Sequence, residues 1–193
     1  MEDKRITKTK QGLKQTLIAL AAEKPFEQIT VTELCKAADV SRITFYAHYS
    51  DKYELVDEVF RDMRAEASRV FHRLERENNP TGNRTLSYCN LLDCILDVYY
   101  GQSPFFAHAT PQDSPYLYYS LHHYITRNVE NYARRVGQTL AQPYTLRQIT
   151  AFLCNGLWGF IEQCRSESCS LEETRAQAKS LLRSVLESGA LTH

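Results

Sequence analysis

Apolar residues recur every three or four positions along most of this chain, the period that predicts helices. Leu13, Leu17 and Leu20 mark one face of a first helix over about residues 7–23, with Ile18 and Ala21 beside it. Lys24-Pro25 ends it, because the residue before a proline is pushed out of the α region. Thr30 with Glu33 forms a capping box for a short second helix near Val31, in which Leu34 and Ala38 lie four apart. Ala38-Asp39-Val40 reads as a turn. Ser41 caps a third helix reaching about Tyr49, with Phe45 and Tyr49 facing inward. A long fourth helix, capped by Ser50, starts at Asp51 and runs to about Glu75 along the stripe Leu55, Val59, Met63, Val70 and Leu74.

Asn78 to Asn83 is the clearest linker. Beyond it the pattern predicts a helix from Arg84 to Tyr100, ended by Gly101-Gln102-Ser103-Pro104, and a short helix holding Phe105 and Phe106. Ser114-Pro115 starts the next, which reaches about Thr139. Thr145 with Gln148 caps a helix to about Arg165, and Ser170 with Glu173 caps the last, which continues to Glu187 and stops at Gly189. About nine helices and no strand make an all-α chain. The expected division is an N-terminal three-helix helix-turn-helix domain over 1–52, then a C-terminal helical ligand and dimerisation domain over 53–193, connected by helix 4 from residue 51. A hydrophobic share of 43% with only 7 Gly and 6 Pro supplies a core and few breakers.

Charge sharpens this picture. Net charge is zero, yet the first 14 residues hold Lys4, Arg5, Lys8, Lys10 and Lys14 against Glu2 and Asp3, so the remainder is slightly acidic. The outward side of the third helix carries Arg42, Thr44, Tyr46 and His48 and no acid, all able to donate to phosphates or base edges. Lys52 sits at a helix N-terminus, which is already electropositive, so either an anion lies near it or it is simply solvated. The spacing is that of a helix-turn-helix, whose second helix enters a DNA groove.

The run Val40-Ser41-Arg42-x-Thr44-Phe45-Tyr46-x-His48-Tyr49-x-x-Lys52, preceded by Lys24-Pro25-Phe26-Glu27-Gln28-Ile29-Thr30-Val31, resembles the DNA-binding signature of the TetR family of bacterial transcriptional regulators. The resemblance covers about the first 60 residues. It implies backbone contacts from Thr44, Tyr46, His48 and Lys52 and base reading by Arg42 with Thr44. The candidate DNA face is then Thr32, Ser41, Arg42, Ile43, Thr44, Tyr46, His48 and Lys52. One position departs: Asp39 stands where the family usually has Gly, at a site that tends to be left-handed and that Asp tolerates better than most residues.

The last two helices are apolar over a wide arc, and Gly156 and Gly159 in mid-helix suggest close backbone approach. Packing within one chain would explain this, as would a four-helix bundle made by two subunits. The family resemblance favours the second, with Phe152, Gly156, Gly159, Phe160, Leu182 and Val185 as the candidate dimer interface. The Phe152–Trp158 segment also resembles the C-terminal domain of TetR-like regulators of Firmicutes type. Nine of the twelve tyrosines lie beyond residue 80, and Tyr88, Tyr99, Phe105, Tyr119, His123 and Trp158 are candidates to line a pocket for a small apolar effector.

No metal site or cofactor is expected. His122 and His123 diverge by about 100 degrees on a helix, so they cannot readily share an ion. The six cysteines show no ribbon spacing; Cys164 and Cys169 straddle a loop, with Arg165 the one cation near in sequence. Phosphate loops, nucleophile elbows and His-Glu-x-x-His are missing, so an enzyme is not expected. No apolar run approaches a membrane span, and the polar start does not read as a signal, so a cytoplasmic protein is expected. The resulting expectation is a transcriptional regulator, more readily a repressor than an activator. It would bind a palindromic operator on double-stranded DNA as a homodimer, under control of an effector or a protein co-regulator. A helical interaction module is the alternative.

Overall fold

The computed structural model describes residues 4–135 and 144–188. Among these are eight α-helices: α1 (Lys4–Glu23), α2 (Val31–Ala37), α3 (Arg42–Tyr46), α4 (Lys52–Asn78), α5 (Arg84–Gly101), α6 (Pro115–Arg135), α7 (Leu146–Ser166) and α8 (Leu171–Glu187). A single 3-10 turn covers Phe26–Gln28, and no strand occurs among the described residues. The all-α class is therefore as the apolar period predicts. The expected short helix around Phe105 is instead a succession of turns, in which Phe106 N–H donates to the Gln102 carbonyl and Ala107 N–H to that of Pro104. Thr139, Pro143 and Gly189, where helix limits were expected, lie outside the described residues.

Capping follows the sequence closely. Thr30, Ser41, Thr145 and Ser170 each accept from the backbone N–H three residues on, and the last two form complete capping boxes with Gln148 and Glu173. The cap of α4 differs by one residue. Asp51 Oδ1 accepts from the N–H groups of Tyr53 and Glu54, both at 2.9 Å, while the Glu54 carboxylate reaches back to Ser50 N–H at 2.7 Å. A carboxylate directly before the first helical residue outcompetes a hydroxyl one position further out, since it adds favourable charge at the helix N-terminus.

The chain forms two compact units: residues up to Glu66 together with Gln102–Leu121, and Ala67–Gly101 together with His122 onward. In the first, Leu13, Leu17 and Ala21 of α1, Leu34 of α2, Phe45 and Tyr49, and Leu55, Val56 and Val59 of α4 are buried around Phe26 and Ile29. Segment 102–121 completes this core with Phe105, Phe106 and Leu117; the Phe105 and Phe106 rings lie 6.3 and 6.2 Å from that of Phe60. Three polar ties join the same segment to the helix-turn-helix part. Phe26 N–H donates to Ser114 Oγ at 2.9 Å, Tyr116 N–H to Glu27 Oε1 at 3.1 Å, and the Tyr116 hydroxyl to Asp57 Oδ1 at 3.0 Å. Beside Asp57 on α4, Glu58 takes Lys10 at 3.3 Å and Lys14 at 3.5 Å. Burial alone would raise the Glu58 carboxyl, but Lys10 with Tyr49 and Lys14 outweighs it and holds the group below its ordinary value.

In the second unit α8 packs on α5 and α7. Asp93 on α5 accepts from Arg175 at 3.1 Å and Lys179 at 2.7 Å, and Asp97 takes the other arm of the guanidinium at 2.5 Å. Glu75, near the end of α4, gathers Ser87 Oγ and Asn90 Nδ2, each at 2.6 Å, into a polar hub. These bonds fix the α4–α5 corner.

Ser114 is fully buried and accepts the equally buried Phe26 N–H. Ser114→Ala strands that donor, and an unsatisfied buried N–H costs about 1–3 kcal/mol. Urea unfolding should show a loss in that range. An unchanged midpoint would mean that the bond does not hold segment 102–121 to the helix-turn-helix part.

Candidate nucleic-acid interface

α2 and α3 meet through a Schellman turn. Asp39 takes φ +53°, and Val40 N–H donates to the Cys35 carbonyl at 2.9 Å, closing the end of α2. The position where the family pattern has Gly is therefore left-handed here with an aspartate in it. Immediately after the turn Ser41 Oγ accepts from Thr44 N–H at 3.0 Å and starts α3. Phe45 and Tyr49 are 0% and 2% exposed, which locks the inner face of this segment into the core.

What remains outside is the candidate DNA face. Ile43 is 84% exposed and Tyr46 49%; Ser41, Arg42 and, on α2, Thr32 are also exposed, while Thr44 and His48 are half-buried. Arg42 lies with its guanidinium carbon 5.8 Å from the Tyr46 ring centroid, so the ring limits where the cation can go. A large exposed aliphatic such as Ile43 normally loses by being in water. At the tip of a recognition helix it can meet the methyl group of thymine, and Arg42 beside it can reach a guanine edge or a phosphate. Seven of the eight candidates thus lie on α2 and on α3 with its flanks, exposed or half-buried.

Lys52 stands apart. Its Nζ donates to the carbonyls of Phe26 at 2.9 Å, Glu27 at 3.0 Å and Ile29 at 2.8 Å, and sits 4.5 Å from the Phe26 ring centroid. An ammonium has three N–H bonds, and all three are committed to this loop. Burial pushes the Lys52 pKa down, opposed by the nearby Glu27 carboxylate. The electronegative partner that a lysine at a helix N-terminus needs is supplied by the protein's own carbonyls. Sequence gives no signal for that, because the three acceptors lie more than twenty residues earlier in the chain.

The effector candidates do not gather at one place. Tyr88 and Trp158 line a partly open apolar cavity of about 50 Å³ in the second unit, with leucines and isoleucines of α5, α6 and α7 and with Cys154. Burial pushes the Tyr88 hydroxyl up to about 12 and the Cys154 thiol to about 11, so both are neutral. Tyr99 meets the Trp158 ring edge-on at 5.3 Å, but its hydroxyl is donated to Glu162 at 2.7 Å. Phe105 belongs to the core of the first unit, Tyr119 is 60% exposed and His123 is exposed.

The dimer candidates divide similarly. Phe152 is 67% exposed, Gly156 and Gly159 are exposed beside it, and Phe160 and Val185 are half-buried. A Cβ added at either glycine would meet nothing within 4 Å, so packing among the described residues does not require them to be glycines. Leu182 instead is 4% exposed and lines the apolar cavity, while Leu181, one residue earlier, is 43% exposed.

Lys52→Ala should lower stability by about 1–3 kcal/mol, because it strands three carbonyls, whereas Arg42→Ala on the exposed face should stay within about 0.5 kcal/mol of the parent. Thermal or urea unfolding of the two variants separates these expectations. Equal stabilities would show that the Lys52 bonds do not support the fold.

Residues 15–59 match the family "Bacterial regulatory proteins, tetR family", and this span contains α2, α3 and the start of α4. Over 52 residues the chain is 35% identical to an uncharacterized HTH-type transcriptional regulator of Bacillus subtilis, YxbF; the match spans 27% of this chain and 14% of that protein. Full-length likeness comes from solved structures. A protein of Syntrophomonas wolfei assigned to the TetR family superimposes with a TM-score of 0.71 at 11% identity, covering 93% of this chain and 95% of that one. A TetR-family transcriptional regulator of Streptomyces coelicolor gives 0.64 at 18% identity over 93% and 98%, and one of Streptococcus agalactiae 0.62 at 20% over 93% and 96%. At such identities these structures speak for the fold, and the family match speaks for the helix-turn-helix part alone. The chain thus carries a helix-turn-helix of the TetR type over residues 15–59, on an all-α fold of the kind these solved regulators have.

Proposed function

We propose that this protein is a sequence-specific regulator of transcription, most simply a repressor, that binds a palindromic operator as a homodimer. The observation that carries the DNA-binding half is the acid-free outer face of α3, with Ile43 84% exposed and Arg42 held beside Tyr46. Arg42, Ile43 and Thr44 are the base-reading residues in this reading. Thr32, Ser41, Tyr46 and His48 take the flanking phosphates, and Lys4, Arg5 and Lys8 of α1 add positive charge to the same unit.

The homodimer is supported by the outer face of α7. Phe152, Gly156 and Gly159 recur at helical spacing, an exposed aromatic beside two positions where another backbone can come close. With Leu181 of α8 they suit helix-on-helix packing against a second copy, and a twofold dimer presents two recognition helices to two half-sites about one helical turn apart.

Control would enter through the second unit. Its cavity, at about 50 Å³, is far below the roughly 300–1,000 Å³ of pockets that enclose drug-sized ligands. It suits a small apolar molecule with few polar groups; a larger effector would have to widen it, and a protein partner is the alternative input. α4 and α6 each contribute residues to both units, so either helix can carry such a change along its own backbone. Only a ligand with unequal affinity for the two arrangements can switch DNA binding.

Two measurements test this reading. Titrating duplexes at several salt concentrations, Arg42→Ala should lose about 1–3 kcal/mol on the preferred site and relax the choice at one base position. Binding of every duplex as tightly as the parent would remove α3 as the reading head. Separately, Phe152→Glu and Leu181→Glu each place a charge where a partner helix would cover it, a burial that costs several kcal/mol without a counter-ion. Light scattering should show monomers for these variants and a dimer for the parent, and intact dimers in both variants would exclude this face.

A further inference from the structure

α7 ends as α2 does. Ser168 takes φ +60°, its N–H donates to the Arg165 carbonyl at 3.1 Å, and the Cys169 N–H donates to the Cys164 carbonyl at 2.9 Å. This is the paired hydrogen-bond pattern of a Schellman turn, which characteristically brings the side chains of the two outermost residues into apolar contact. At the end of α2 those residues are Cys35 and Val40. At the end of α7 both are cysteines, so the turn places Cys164 and Cys169 in these two outermost positions. Cys164 is buried at 4% exposure, whereas Cys169 is partly open to solvent. Cys35, Cys89, Cys94 and Cys154 are all buried and free.

We propose that Cys164 and Cys169 form a reversible dithiol–disulfide site that small disulfides oxidise, stapling the corner between α7 and α8. The more open Cys169 thiolate attacks one sulfur of a low-molecular-weight disulfide, forming a mixed disulfide and releasing one thiolate. The Cys164 thiolate then attacks the Cys169 sulfur, expels the second thiolate and closes the intramolecular bond. The protein gives up two electrons and two protons, and the small disulfide leaves as two thiols. The turn holds the second cysteine beside the first, which makes the closing step intramolecular. Burial first, and then Cys164 and the carboxylates of Glu167 and Glu173, raise the Cys169 pKa. The site is therefore slow at neutral pH, and its rate follows the small thiolate fraction, rising about tenfold per pH unit while the thiol stays mostly protonated.

The test uses the full chain incubated with oxidised glutathione, quenched with an alkylating agent and digested with trypsin. Arg165 lies between the two cysteines, so cleavage there leaves two peptides joined only by the new bond and separable by reduction. The linked pair should appear in the parent and in Cys154→Ser, be lost in Cys164→Ser, and form faster as pH rises. Full alkylation of both thiols after oxidant would overturn the proposal. So would a glutathione adduct on Cys169 that never resolves into the linked pair.

Discussion

The helix that would read DNA is too short to hold itself together. α3 spans Arg42–Tyr46, and isolated helices well beyond that length are marginal in water. Its stability has to come from what surrounds it, and the first unit is arranged around that need. Phe45 and Tyr49 pin its inner side, Ser41 closes its start and the left-handed Asp39 sets its angle to α2. Lys52 fastens the loop before α2 by taking three carbonyls that would otherwise face a partly buried space. An outer face with no packing duty is what this support leaves free for another molecule.

The same constraint accounts for segment 102–121. Far from α3 in sequence, it supplies Phe105, Phe106 and Leu117 to the core beneath the helix-turn-helix, and it caps the Phe26 N–H through Ser114. The Phe26, Tyr53 and Tyr116 rings then meet with centroids 4.7 to 5.7 Å apart. The start of α6 is thus built into the unit that carries the recognition helix. A displacement of that start cannot leave Phe26 and Glu27 where they are without breaking these contacts.

Local rules made much of this legible. Caps at Thr30, Ser41, Thr145 and Ser170 are short-range features, each decided by a hydroxyl and a backbone three residues on, and the structure shows all four. The left-handed Asp39 was equally readable, as a departure from a family glycine. Long-range choices were not. The burial of Phe105, the exposure of Tyr119 and the turn of Leu182 into the α5–α7–α8 interior depend on which helices meet, and an apolar period says only that a face is buried. The three carbonyls on Lys52 were hidden for the same reason: a backbone acceptor leaves no mark in the sequence.

In the proposed function the acid-free face of α3 reads DNA as one half of a symmetric pair. Selecting bound fragments from a random duplex pool, and weighing the complex on the enriched site, tests both parts together. The expected product is an inverted repeat with half-site centres about one helical turn apart, carrying two chains per site, or a multiple of two. Recovery of no preferred sequence, or of an asymmetric site bound by a single chain, would contradict that function.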